Sequence, residues 1–570
     1  MIRTLLLCLA FPALLSCHSS SDKSKDSIST DTAAISAGKA LFEKNCLSCH
    51  SFEQDGIGPA LGGITTHTPT AWIKNFIKNP LAIMQSDDTI AAQLRIRYKS
   101  VMPSFPQFSD DELTSIVAYL HTHTALPEER EYVEGAIRDP IPEKIPLSKL
   151  VVNIKEIAHF PVSSADGKHP LTRITKLAPQ PGTGDLFVND LRGQLYKLKD
   201  GRPAVFMDMN KLRPSFIAEP GLATGFGSFA FHPLFTRNGL FYTSHTEKPG
   251  KTKADFTYDD SIKVTLQWVL TEWKVNDVNA DTFAGTSREL LRVNMVSYAH
   301  GMQEITFNPN AKAGSGDFGL LYIGIGDGSS VQEGYPSVPH GKNKVWGAIL
   351  RIDPLGTNSK NGQYGIPADN PFARDKDPDT NKEIYAYGFR NPHRITWTRS
   401  NEMLVSNIGQ TNIEALEWVR PGQDYGWPIR EGGFVNDPKS DLNNIFALPA
   451  DDSTYGFTYP VAQFDHDEGA AICGGYEYTG SDIPELKGKF LFGDIPSGRL
   501  FFINTTDVTR TGGAPIKEWK IAIGRKPASL REVCGGSRVD LHFGMDSQGG
   551  MYILTKADGK LYQLESASTK

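Results

Sequence analysis

Gly550-Met551-Tyr552-Ile553-Leu554 followed by Gly559-Lys560-Leu561-Tyr562-Gln563-Leu564 is a pair of short apolar runs, each introduced by glycine, and it reads as a β-hairpin. The same device stands at Gly184-Asp185-Leu186-Phe187-Val188 with Gly193-Gln194-Leu195-Tyr196-Lys197-Leu198. A third copy is Gly488-Lys489-Phe490-Leu491-Phe492 with Gly498-Arg499-Leu500-Phe501-Phe502-Ile503. Looser copies start at Gly239-Leu240-Phe241-Tyr242, Gly319-Leu320-Leu321-Tyr322-Ile323 and Met403-Leu404-Val405, which makes six. Repeated four-stranded units with long insertions on one side are what a radial β-propeller requires, because each blade buries its faces only against its neighbours. A sandwich or solenoid would supply strands too, but not similar hairpins at both ends of the region. Residues 149–566 are therefore expected to form an all-β six-bladed β-propeller, with seven blades as the alternative.

The first part of the chain carries a different signal. Cys46-Leu47-Ser48-Cys49-His50 places two thiols three residues apart with a histidine directly after, the attachment pattern of a c-type haem. Cys46 and Cys49 would bond the haem covalently and His50 would reach the iron. Upstream, Gly38-Lys39-Ala40-Leu41-Phe42 opens a short helix; downstream, Gly58-Pro59-Ala60-Leu61 resembles the loop of class I cytochromes c. The resemblance implies a small all-α monohaem cytochrome c domain over residues 34–125, with a thioether or imidazole as the second axial ligand. Met102 fits best, in Val101-Met102-Pro103-Ser104-Phe105 ahead of the capping box Ser109-Asp110-Asp111-Glu112 and a helix carrying Leu113, Ile116, Val117 and Leu120. Tyr119 is expected to pack on Gly38. Met84, His67, His121 and His123 stand as alternative ligands.

Met1-Ile2-Arg3 and the apolar run from Leu5 to Leu15 read as a secretory signal over residues 1–16, too short to remain in a membrane. Leu14-Leu15-Ser16-Cys17 resembles a bacterial lipobox, in which Cys17 is lipidated; an ordinary signal peptide with an incidental cysteine is the other reading. Residues 17–33 are Ser-, Asp- and Lys-rich and read as a lipidated flexible tether. Haem attachment and lipidation both imply an exported bacterial lipoprotein, periplasmic or outer-membrane anchored, with the lipid as its membrane contact. Cys473 and Cys534 are left either as a disulfide, which an oxidising compartment permits, or as two buried thiols. A formal charge of −6 over 570 residues, with both signs scattered, carries no footprint for nucleic acid. Residues 126–148, with Pro, Glu and Arg and weak periodicity, read as a linker.

The insertions of the repeat region carry chemical groups. Phe229-Ala230-Phe231-His232-Pro233, Ile325-Gly326-Asp327-Gly328, Glu383-Ile384-Tyr385-Ala386-Tyr387-Gly388-Phe389-Arg390-Asn391-Pro392 and Asp424-Tyr425-Gly426-Trp427-Pro428 follow one another. In that order they resemble the soluble quinoprotein glucose/sorbosone dehydrogenase family, from about Ile154 to Leu564. The resemblance implies pyrroloquinoline quinone and Ca²⁺ in the propeller mouth and oxidation of an aldose at its anomeric carbon. His300, in Tyr298-Ala299-His300-Gly301-Met302, matches the base, a role that suits an imidazole because its pKa lies near operating pH. Asp327 matches the carboxylate that orients it, although an Asp-Gly turn would account for it equally well. Arg390, Asn391 and Arg538 match cofactor-binding positions. Gly409 and Gln410, in Ile408-Gly409-Gln410-Thr411, match the turn whose backbone carbonyls hold calcium. His232 is expected to serve packing alone.

One departure stands out. The turn in which the family carries a lysine for the cofactor carboxylates reads Gly493-Asp494-Ile495-Pro496-Ser497-Gly498 and has none; Arg499 is a candidate to compensate. The expected function is a quinohaemoprotein oxidoreductase that oxidises an aldose or related alcohol and passes electrons through its own haem to an external respiratory acceptor. Tethering a one-electron carrier beside a two-electron site raises its effective concentration without new contact surface. The alternatives are a non-catalytic carbohydrate- or ligand-binding propeller carrying an electron-transfer cytochrome, and an oxidoreductase using haem alone.

Overall fold

The computed structural model describes residues 28–46, 50–52, 58–97, 102, 104–125, 133–165, 167, 169–221, 223–439, 441–509, 512–535 and 538–569. The lipidation expected at Cys17 and the thioether expected at Cys49 lie outside the described residues. None of the described helices is long and apolar enough to cross a membrane.

The N-terminal helical domain is organised by two helices, Thr32–Asn45 and Asp110–His121. The first begins inside the stretch expected to be tether, because the Asp31 side chain caps it by accepting from Ala34 N at 2.9 Å. The second begins with the expected capping box, Ser109 and Glu112 satisfying each other's backbone N–H groups. Gly38 allows the two to touch, since a Cβ there would lie 1.8 Å from the Ser115 carbonyl oxygen. Tyr119 packs its ring on Phe42 and Phe52. Shorter helices close the domain around Phe42, Ile73, Ile77, Leu113, Ile116 and Val117.

Between the domains, the chain after Ala136 already lies on the second one. Ile137 N donates to Ile445 O at 2.8 Å, and Lys144 pairs with Asp467 at 2.8 Å. Part of the expected linker is thus docked rather than free.

The second domain is mostly β and propeller-like. Its strands run in four-stranded antiparallel meanders, the first being Ile174–Pro179, Leu186–Asp190, Gln194–Lys199 and Arg202–Asp208. The six repeat segments of the sequence each supply the second strand of such a meander: Leu186–Asp190, Leu240–Glu247, Leu321–Ile325, Met403–Asn407, Lys489–Asp494 and Met551–Thr555. The three tight hairpins pair as expected, with Val188 opposite Tyr196, Leu491 opposite Phe502 and Leu554 opposite Leu561. Leu147–His159 completes the last meander by pairing antiparallel with Lys560–Ser568, and it also pairs parallel with Lys517–Ile523, joining two meanders into one nine-stranded sheet.

The first strands, Ile174–Pro179, Phe226–Phe231, Glu304–Phe307, Pro392–Trp397, Ile472–Glu477 and Leu541–Met545, each lie beside the next, and the last lies beside the first. A buried ionic cluster ties four of them together. Lys176 pairs with Glu304 and donates to Ser228 Oγ at 3.2 Å and Ile305 O at 2.8 Å; Arg394 Nε stands 3.5 Å from Glu304, and its Nη2 donates to Thr175 O at 2.9 Å. Apolar clusters lie between neighbouring sheets, where large aromatic side chains such as Trp268, Tyr242 and Phe187 fill the space. Cys473 and Cys534 are two separate buried thiols, so the disulfide alternative is set aside; Cys473 Sγ donates to Leu541 O at 3.1 Å.

Candidate active site

Loops leading into first strands and out of second strands meet at one end of the ring, and they carry most of the expected site residues. His300 precedes Glu304–Phe307, Asp327 follows Leu321–Ile325, Arg390 and Asn391 precede Pro392–Trp397, and Gly409 follows Met403–Asn407. A single cavity of about 720 Å³ opens among them, within the size range of cofactor sites. It does not end at the propeller. The same cavity is lined by Cys46, His50 and Met102 of the helical domain, so both sets of expected site residues face one space.

His300 Nδ1 donates to Asp327 Oδ1 at 2.9 Å, with Ser329 Oγ 3.1 Å from the same nitrogen. Asp327 is buried and fully engaged: Ser329 N reaches Oδ1 at 2.8 Å and the Trp427 indole donates to Oδ2 at 3.0 Å. Asp327 is therefore more than an Asp-Gly turn residue. His300 sits at φ +52°, a left-handed conformation uncommon for a non-glycine residue. It is held there by Gly328 N donating to its carbonyl at 3.1 Å and by Gly326, whose missing side chain leaves room for it: a Cβ would lie 2.4 Å from His300 O. Burial, then Arg390, pushes the His300 pKa below its ordinary value against the opposing effect of Asp327. For Asp327, burial works upward, but the His300 contact and Arg390 hold its carboxyl below the usual carboxylate value. The result is a neutral imidazole with Nδ1–H fixed on a carboxylate and Nε2 left as the basic nitrogen.

Arg390 is buried between the base and the Gly409 turn. Its Nε donates to Gln410 Oε1 at 2.7 Å, and its Nη1 donates to Gly409 O. The turn itself is built by Glu431, whose Oε1 accepts from Gln410 N, Thr411 N, Asn412 N and Ile413 N at 2.8, 3.1, 2.9 and 3.0 Å. Gly409 lines the cavity whereas Gln410 does not; Gln410 enters the site through its side-chain amide, as a holder of Arg390. The Gly409 carbonyl expected for calcium already accepts from a guanidinium, so the residues present suit the ion less well than the quinone. For the quinone the fit is good. Asn391 Oδ1, His393 Nδ1 and both ring nitrogens of His542 are buried without partners, and their residues line a cavity that also carries Arg390, Arg538 and Lys556. Orphaned polar groups beside cations that face the same cavity call for an acceptor-rich anion.

The lysine-free turn is explained by its own hydrogen bonds. Asp494 is buried and accepts from Ala470 N at 2.8 Å, Ala471 N at 3.0 Å, Ser497 N at 2.8 Å and Ser497 Oγ, which makes it a turn anchor. Arg499 does not compensate: it turns away to Glu468 at 2.6 Å and Glu518 at 2.7 Å and is not a cavity residue. His232 is a packing residue as expected, accepting from Leu234 N at 3.0 Å with its ring against Phe307.

In the helical domain, His50 Nδ1 donates to Pro59 O at 2.8 Å, which leaves Nε2 as the nitrogen that would meet a metal. Gly58 must lack a side chain, because a Cβ would stand 2.3 Å from His50 Cε1. These residues fit a haem. Met102, Met84 and His67 line the cavity, whereas His121 bonds Thr65 Oγ1 at 2.9 Å and His123 stacks on Phe52.

Trp427, Glu431, His393, His542 and Lys556 were not expected at the site. Trp427 stood inside a quoted motif; the others lie in strands and turns with no local signature.

Residues 35–124 match the cytochrome c family and residues 171–562 the glucose/sorbosone dehydrogenase family. Fold and site thus define a haem-binding domain joined to a sugar-dehydrogenase fold, a combination that supports an oxidoreductase with electron transfer. The chain belongs to the glucose/sorbosone dehydrogenase family. It is similar to quinoprotein glucose dehydrogenase B of Acinetobacter calcoaceticus, 25% identical over 39% of this chain and 44% of that protein. It is also similar to the Hedgehog-interacting protein of Mus musculus, 25% identical over 71% of this chain and 50% of that protein. The chain spans about half the length of the curated relatives it matches. The crystal structure of the soluble aldose sugar dehydrogenase from Escherichia coli in the apo-form shares the fold, with a TM-score of 0.52 at 18% identity over 74% of this chain and 100% of that one.

Proposed function

We propose that this protein is a quinohaemoprotein dehydrogenase: a six-bladed propeller oxidises an aldose or related alcohol with pyrroloquinoline quinone, and the electrons leave through the chain's own haem c. The observation that carries this reading is the single cavity reached by the His300–Asp327 pair at one end and by His50 and Met102 at the other. The quinone would supply a two-electron acceptor for the substrate hydride and the haem a one-electron carrier. His300 Nε2 takes the proton of the sugar hydroxyl, and Asp327 stabilises the imidazolium that results. Arg390, Asn391 and Arg538 would hold the cofactor oxygens. Calcium, implied by the family resemblance, would have to share the Gly409 carbonyl with Arg390. The same reading includes export, a lipid anchor at Cys17 and an external electron acceptor, supported by the haem-attachment and lipobox-like motifs.

Stopped-flow spectroscopy at the haem absorbance, with a panel of aldoses, tests the reading. Sugar should reduce the haem only after quinone is added, and His300→Ala should slow that reduction ~10²–10⁴-fold while leaving quinone binding nearly unchanged. Arg390→Ala should weaken quinone binding first. If no aldose or polyol reduces the quinone-loaded protein, the propeller is a binding module.

A further inference from the structure

Three chain segments lie side by side on one wall of the cavity. Val539 N donates to Pro496 O at 3.0 Å, binding the Arg538–Asp540 segment to the lysine-free turn; Ala557 N donates to Val539 O at 3.2 Å, binding the Lys556 segment on the far side. Ile495, Pro496, Arg538, Asp540 and Lys556 all line the cavity. Lys556 is thus displaced from the lysine-free turn by the width of one segment, with Arg538 between.

Lys556 lines the cavity from a half-buried position, and its ammonium has no hydrogen-bond or ion-pair partner among the described residues. Asp540, the nearest carboxylate by influence, is engaged by Arg538 Nε at 2.6 Å. Above the same wall stand His393 and His542, with ring centroids 5.6 Å apart, His393 Nδ1 and both His542 nitrogens being buried and unpartnered. A half-buried cation without an ion-pair partner has lost hydration that an anionic ligand can make good. A neutral sugar supplies acceptors but no charge; a carboxylate supplies both. We infer that Lys556 is the cationic anchor for a carboxylate of the bound quinone, replacing from the neighbouring segment the lysine that the turn at residues 493–498 lacks. The inference rests on the quinone reading above and adds to it the residue on which carboxylate recognition depends.

The electrostatics of the wall agree. Burial, reinforced by Arg173, Arg394 and Arg538 and opposed by Asp540, brings the Lys556 pKa down to about 7. His393, His542 and Cys473 also face it; burial holds the two histidines neutral and the thiol protonated near pH 7. An anion that binds here restores the lysine proton. Affinity is therefore at its plateau below pH 7 and falls above it, with proton uptake on binding.

The test is a fluorescence titration of the full-length protein with pyrroloquinoline quinone and with its trimethyl ester, in wild type, Lys556→Met and Lys556→Arg. Lys556→Met should weaken binding of the free acid roughly ten- to hundredfold, as expected for loss of a charge-assisted hydrogen bond, and leave binding of the ester unchanged. Lys556→Arg should retain most of the affinity. The cofactor-free Lys556→Met protein should unfold at a temperature no lower than wild type, since it loses an uncompensated charge. Equal weakening for acid and ester, or a lowered unfolding temperature without a selective loss, makes Lys556 structural and overturns the inference. Unchanged binding of the acid overturns it too while leaving the quinone reading intact. A wild-type protein that binds neither form removes both.

Discussion

Trp427 donates its indole N–H to Asp327 Oδ2 at 3.0 Å, fixing from the next meander the carboxylate whose other oxygen holds His300 at 2.9 Å. The base is thus oriented by two residues that belong to different insertions. Trp427→Phe keeps the ring and removes the donor. Aldose-driven haem reduction should slow about ten- to hundredfold, in the range of one hydrogen bond to a charged group, and an unchanged rate would show that Asp327 needs no such support.

The acid limb of kcat/KM reports the proton affinity of the free base. Burial and Arg390 lower the His300 pKa from its ordinary 6.5, and Asp327 opposes them. Activity should therefore hold as pH falls to 6.5 and decline only below it. Asp327→Asn removes the opposing charge, so the limb should move to still lower pH while the maximal rate drops by ~10²–10⁴-fold. A wild-type limb above pH 6.5, or one that rises in the variant, contradicts the assignment.

Glu304 is the counter-charge for Lys176 and Arg394 at the centre of the ring. Glu304→Ala leaves two buried cations unpaired and should lower unfolding stability by about 3–5 kcal/mol, seen as a reduced urea midpoint. A midpoint within error of wild type would mean that water replaces the carboxylate.

Glu431 carries the Gly409 turn through four backbone N–H groups. Glu431→Ala strands those donors in the interior, and a loss of roughly 3 kcal/mol or more is expected. Because Arg390 leans on Gly409 O and Gln410, quinone affinity should fall in parallel. Titration with and without added calcium, in wild type and variant, separates an ion held at the Gly409 carbonyl from a turn stabilised by Glu431 alone.

His50 and Met102 face one cavity. The oxidised protein should show the weak long-wavelength band of methionine-to-iron ligation, and Met102→Ala should abolish it. Survival of the band in the variant would pass the ligand role to Met84.

The repeat that located the second strand of each meander was legible because hairpins are local: turn residues and alternating apolar side chains lie within a dozen positions of one another. The haem-attachment motif, the capping box at Ser109 and the pairing of His300 with Asp327 were legible for related reasons, as fixed spacings or as motif matches. Tertiary structure alone decided the rest. Lys176, Glu304 and Arg394 neutralise one another across the ring although no stretch of sequence holds two of them together. Asp494 read as an acidic substitution in a binding turn, yet it is consumed by four donors, two from Ser497 of its own turn and two from Ala470 and Ala471. Arg499 read as a spare cation, and two glutamates claim it. Lys556 carried no signal, because a lysine facing a cavity looks like any other until the partners it lacks can be counted. Sequence fixes which groups a chain owns and the local turns they make. Which of them are satisfied by neighbours, and which face a cavity with bonding capacity to spare, depends on contacts between remote segments that only the closed ring brings together.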